Sequence, residues 1–407
     1  MTSPAEAAAE LRTTAAIRER SVALLERARR GESSWFTVDD AALDGAAAEV
    51  ATITRDRFPN LDIPYHSRWR HFEVGGVDRK AELDTLLGSA DATERARSMI
   101  DLTVISVLLD AGAGADWGYV ETRGDSRATF ARSEGLGVAS WHGFVSGAFS
   151  SDPGRPLQAD ADGLRALTGD RLAAMFQVTA DNPLVGLGGR LRLLHRLGDA
   201  LSAQPDVFSD HPRPGALFDA LAASGTVRAD HILTRVLASF APIWPSRNMI
   251  GDVAVGDCWR HDAVPGPGLT AGWMPFHKLS QWLTYSLIEP FVWAGVDVQD
   301  IDALTGLPEY RNGGLLLDSG VLGLRDPSAA GQTWDPGHEL VVEWRALTVA
   351  LLDELAPLVR DKLGVDEQKM PLACVLEGGT WNAGRVLAQR LRGGLPPLSI
   401  TSDGTVF

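Results

Sequence analysis

Apolar positions recur along most of this chain at helical spacing. Ser3-Pro4-Ala5-Glu6 reads as a capping box with proline at the first helical position. A helix is predicted from there to about Arg30, with Leu11, Ile17, Leu24 and Leu25 on one stripe and Gly31 as its stop. A second short helix is expected over Trp35 to Ala51. Asp91-Ala-Thr-Glu94 opens a helix in which Met99, Ile100, Leu102, Val104, Ile105, Leu108 and Leu109 leave almost no polar face, so it belongs at the centre of a core. Leu136 to Phe149, Asp160 to Met175, Val185 to Ala203, Val227 to Ala238, Pro275 to Trp293 and Glu339 to Lys362 follow the same period. Extended stretches are few: Tyr119 to Glu121, and a small hairpin about Asp403-Gly404 in the tail. The fold class is therefore mainly α, a compact helical body with few short strands. It reads as one unit over 1–407, with a finer division into lobes of about 1–150 and 151–407.

Composition narrows the function. Of 407 residues, 45% are hydrophobic and 22% charged, enough for a large core. The net charge of -15 and pI of about 5.0 argue against nucleic acid as partner. No apolar run reaches membrane-spanning length, so no membrane partner is expected. Cys258 and Cys374 lack metal spacing and read as reduced thiols of a cytoplasmic protein. No HxH or HExxH pattern appears, so neither a metal nor a cofactor is expected. The oligomeric state is not legible.

The chemistry concentrates in Leu304 to Leu322, where Glu309-Tyr310-Arg311-Asn312-Gly313-Gly314 interrupts two apolar runs. Pro308 favours an extended Leu307, and the glycine pair allows close approach to the backbone, so the polar centre is expected at a loop or cleft. The plainer alternative is a Glu309–Arg311 ion pair pinning a turn. Upstream, Lys278, Gln281, Trp282 and Tyr285 share one helix face and form either a ligand wall or packed aromatics under a snorkelling lysine. Phe58 to His71 is a loop offering Tyr65, His66, Arg68, Trp69, Arg70 and His71. A second loop offers Arg247, Asn248 and Asp252. A third, Gly256 to Gly268, holds Asp257, Trp259, Arg260 and His261. Trp141 and His142 fall within a helix, where a histidine is more often a satisfied core residue. Gly186-Leu-Gly188-Gly189 lacks the strand and third glycine of a dinucleotide site.

GLPEYRNGGLLLDSGVL, with SMIDLTVISVLLDAGAGADWGY, RSEGLGVASW, FSSDP and the closing DGTVF, resembles the uracil-catabolism family of the fungal ribosylating pathway. The likeness runs from about Arg97 to the C-terminus. A second resemblance, from about Ser150 to Thr348, is to queuosine-5'-phosphate N-glycohydrolase, a helical fold related to DNA glycosylases. Lys278 and Gln281 match its lysine-bearing helix and Glu309-Tyr310-Arg311 its acid-Tyr-Arg segment, with glutamate here for that family's aspartate. The resemblances imply hydrolysis of the N-ribosyl bond of a small phosphorylated, ring-opened pyrimidine ribotide, such as ribosylurea 5'-phosphate. On this reading Glu309 is the candidate acid, Tyr310 and Arg311 position it or the leaving group, and Asp252 is a second possible acid. Lys278, Arg247 and His277 would hold phosphate, and Trp282, Tyr285 and Trp141 would wall the sugar. Gln281, Asn312 and His142 complete the expected binding set. The alternatives are amide or ureide C–N hydrolysis on the opened ring, and a non-catalytic ligand-binding or scaffold partner.

Overall fold

The computed structural model describes residues 2–244 and 248–401. Arg247 and the tail turn at Asp403-Gly404 lie outside the described residues. The structure is mainly α, and every sheet among the described residues is a pair of short strands. Two compact units emerge, each assembled from separated stretches. The first holds residues 2–66, 248–281 and 300–401; the second holds 67–244 and 282–299.

Caps written in the sequence set the helix starts. Ser3 and Glu6 form the capping box of Pro4–Leu11. The single N-terminal helix expected to Arg30 is in fact two. Thr13 turns extended and its hydroxyl accepts from Ala16 N–H, which begins Thr14–Arg29. The helix expected over Trp35 to Ala51 also divides. Phe36–Val38 is a strand paired antiparallel with Leu322–Leu324, and the helix is Leu43–Arg57. The aromatic and β-branched residues at 36–38 take the strand because a partner edge is present.

In the first unit, the long Glu339–Leu363 helix packs on Thr14–Arg29 and Leu43–Arg57. Ile17, Leu24, Met274, Phe276, Val342, Ala346 and Val349 make one fully buried cluster there. Leu11, Ile250, Val255, Cys258 and Trp273 make another. The strand Cys258–Arg260 pairs with Trp273–Pro275, and the latter leads directly into the Lys278–Trp293 helix. That helix has its first turn, through Gln281, in the first unit; Trp282 and Tyr285 are counted with the second.

In the second unit, Asp91 caps Ala92–Leu108, and every residue from Ser98 to Leu108 is buried, as its pattern requires. The brief extension at Tyr119 is one strand of a hairpin, Gly118–Arg123 with Ser126–Ala131. Asp160 to Met175 forms two helices, Ala161–Ala166 and Gly169–Met175, capped by Asp160 and Thr168.

Candidate functional site

Glu309 ends an extended approach and begins a helix. Leu304 to Pro308 are buried, and Glu309 itself is extended, with φ -119° and ψ 166°. The loop expected at the polar centre is instead the first turn of the Tyr310–Asp318 helix, with Glu309 as its N-cap. One carboxylate oxygen accepts from Arg311 N–H at 2.8 Å and the other from Asn312 N–H at 2.6 Å. The glycine pair serves close approach within a helix: a Cβ on Gly313 would stand 2.7 Å from the Trp344 indole, whose N–H donates to Gly313 O.

The residue surface is half-buried, but the carboxylate turns inward onto the helix start. Burial pushes its pKa above the usual carboxylate range. The two backbone amides pull it back, as do the positive charges of Lys278 and of protonated His66. This is an anion held in a dry setting by fixed dipoles, with cations nearby.

The first turn of the Lys278 helix is tied to the same segment twice. Gln281 donates to Thr305 Oγ at 2.7 Å. Asp257 accepts the Lys278 N–H at 3.0 Å and the Trp259 indole N–H at 2.7 Å, and pairs with both terminal nitrogens of Arg345 at 2.8 Å. Burial pulls the Asp257 carboxyl up, but Arg345 and these donors hold it below its ordinary range. The third Arg345 nitrogen donates to Pro308 O at 3.4 Å, and the guanidinium lies 4.0 Å from the Phe276 ring centroid. One arginine thus links the caps of two helices, one bearing Lys278 and the other begun by Glu309.

A third element contributes His66. Its backbone N–H donates to Ala373 O, and its ring Nδ1 lies 2.8 Å from Glu377 Oε2. Glu377 sits in a π-helical turn, Leu376–Thr380, and is bonded by Arg57 at 3.0 Å. Single π turns of this kind concentrate at functional sites. Burial raises the Glu377 carboxyl, but His66 and Arg57 hold it below its usual range. The contact to Glu377 through Nδ1 fixes the ring and leaves Nε2 on its other side.

Several expected roles change. The Arg311 side chain does not reach Glu309: it lies 4.8 Å from the Tyr310 ring centroid and donates to Gly394 O at 3.3 Å, and Tyr310 is exposed. Arg311 positions Glu309 through its backbone N–H instead, and no Glu309–Arg311 ion pair forms among the described residues. Asn312 is buried, donating to Leu307 O at 3.1 Å while its Oδ1 has no donor. His277 is unsuited to phosphate. Its Nε2–H donates to Leu11 O at 3.0 Å beside Cys258 Sγ, and burial lowers its pKa. Asp252 is an exposed residue in the turn joining Met249–Ile250 to Val253–Ala254, apart from the buried segment that carries Glu309. In the second unit, Trp282 is buried with the His71 ring edge at 5.7 Å, and Tyr285 is fully buried. His142 there is 2.7 Å from Glu121 and stacked on Tyr119, with Trp141 edge-on. Sequence reasoning offered His66 and Asp257 only as loop residues without a role, and it missed Arg345 and Glu377. A usable signal was Glu343-Trp-Arg345 inside an otherwise apolar helix, since charges buried there need partners.

A family model described as a protein of unknown function (DUF1688) matches residues 10–407. Protein urg3 of Schizosaccharomyces pombe is 39% identical over 411 residues, covering 99% of each chain. Uracil catabolism protein 4 of Lachancea kluyveri is 39% identical over 412 residues, covering 93% of each.

Proposed function

The chain belongs to the DUF1688 family, and from that premise and its likeness to uracil catabolism protein 4 we propose that it acts in pyrimidine breakdown, as a hydrolase of an N-ribosyl bond. The substrate is a ring-opened pyrimidine ribotide, with ribosylurea 5'-phosphate the first to test. The observation that carries this reading is Glu309, a carboxylate fixed on two backbone amides in a buried setting under the influence of Lys278 and His66.

Breaking the bond between sugar C1' and nitrogen leaves positive charge on the ribose, as in glycoside hydrolysis. An oriented anion in a dry site stabilises that charge without reorganising, which fits Glu309. Water adds its oxygen to C1', one water proton passes to a base, and the departing nitrogen takes a proton to leave as urea. Glu309 or Nε2 of His66 serves as the base. Lys278 supplies a point charge for the 5'-phosphate.

The test is product analysis with the purified chain and ribosylurea 5'-phosphate. Equimolar urea and reducing sugar are expected. Ammonia without reducing sugar would instead identify ureide hydrolysis and overturn the assignment.

A further inference from the structure

Away from Glu309, the first unit holds a group of donors that the mechanism does not use. His261 follows the Cys258–Arg260 strand, and Glu339 and Glu343 lie one turn apart on the same face of the Glu339–Leu363 helix. His261 Nε2 is 3.2 Å from Glu343 Oε2 and 3.6 Å from Glu339 Oε1. One ligand atom from each residue falls within 4.8 Å of the others, the one such group of His, Cys, Asp and Glu among the described residues.

Proximity alone would be an acidic cluster. The second observation is Glu343 itself. Its side chain is 0% exposed, and Oε1 has no hydrogen-bond partner. Its other oxygen meets only His261 and, at 3.4 Å, Arg27. A buried carboxylate with one bare oxygen is costly unless a cation or donor satisfies it. Glu339, by contrast, is 44% exposed, so the group is reachable from solvent and retains open coordination positions.

We propose that His261, Glu339 and Glu343 form a binding site for one divalent first-row transition ion, which clamps the 256–268 loop to the Glu339–Leu363 helix. One imidazole nitrogen and two carboxylates suit zinc, manganese or iron better than the oxygen-only magnesium and calcium. Two carboxylates balance the charge of the ion. Nδ1 of His261 accepts from Ala263 N–H at 3.2 Å, so the ring proton sits on Nε2 and is donated to Glu343. The ion takes that place, the proton moves to Nδ1, and the Ala263 contact is given up. The clamp joins the loop that carries Asp257 to the helix that carries Arg345, so it stiffens their pairing. Its role is structural, and the site stands or falls independently of the N-ribosyl reading.

The experiment uses the full chain stripped with EDTA and titrated with Zn²⁺ or Mn²⁺, followed by calorimetry and thermal melting. One ion per chain is expected, with Tm rising by about 3 °C at a hundredfold excess over Kd. Glu339→Gln, at an exposed position that does not put folding at stake, should weaken binding at least tenfold, and Glu343→Gln should remove it. Absence of binding by the wild-type chain overturns the proposal. So does a loss of less than tenfold in Glu339→Gln.

Discussion

Replacing Glu309 by glutamine separates the two things this residue does. Glutamine keeps one oxygen for a backbone N–H and turns an amide NH2 toward the other, so one of the two cap bonds is lost. That costs about 0.5–1.5 kcal/mol. Removing the charge adds little, because burial already disfavours the anion more than amides and cations repay it. Tm should therefore fall by only about 1–2 °C. Breaking a buried ion pair would cost about 3–5 kcal/mol instead. Turnover of ribosylurea 5'-phosphate should fall roughly a hundredfold to ten-thousandfold, while substrate affinity survives. Glu309→Ser sharpens the comparison, since serine is a strong N-cap without charge. Its Tm should recover toward wild type while turnover stays low. The pH dependence follows from the raised pKa of Glu309. The folded chain favours the protonated acid, so that stabilisation is full below the unfolded pKa and is lost as pH rises through the folded one. Turnover moves the other way, rising with pH through the same interval, because the anion is the working form. Melting curves and kcat, recorded on the same preparations across pH 4 to 8, provide the test. A Glu309→Ser protein with near wild-type kcat would refute the need for charge and leave Glu309 as a cap alone.

Lys278→Ala should raise KM for the phosphorylated ribotide about 10- to 150-fold, the loss of a charge-assisted contact, and leave the dephosphorylated compound nearly unaffected. An equal loss on both substrates, in parallel kinetics, would remove Lys278 from phosphate recognition. Arg345→Met should destabilise the chain by about 3–5 kcal/mol by stranding buried Asp257, and Asp257→Asn in the same chain should recover part of it; a denaturant double-mutant cycle with no coupling would count against the pairing. Glu377, held low by His66 and Arg57 despite its burial, contributes stability above its unfolded pKa that is lost as pH falls through the folded one. Glu377→Gln should flatten the acid limb of stability against pH, and an unchanged limb in melts from pH 6 down to 3 would show that the pair contributes nothing.

The helices were legible wherever a local cause wrote them. Ser3 with Glu6, Asp91, and the mostly apolar stretch from Met99 to Leu109 each act over a few residues, and each helix began where its cap put it. Local pattern also drew attention to Glu309, because a charged group between apolar flanks stands out in one dimension. What pattern could not contain is pairing across distance. Phe36–Val38 became a strand because Leu322–Leu324 lies beside it, a choice made by a partner nearly three hundred residues away. The setting of Glu309 follows the same logic. Lys278 and His66 come from separate stretches, and only folding brings their charges to bear on one carboxylate, while Arg345 from a third holds the Pro308 carbonyl just before it. Even the roles within the motif were tertiary. In sequence Arg311 looks like an ion-pair partner, but the helix that starts at Tyr310 directs its backbone N–H to Glu309 and its side chain to Gly394. A sequence lists which charges are available. Burial and distance, which decide whether they ionise, pair or react, exist only once the chain has folded.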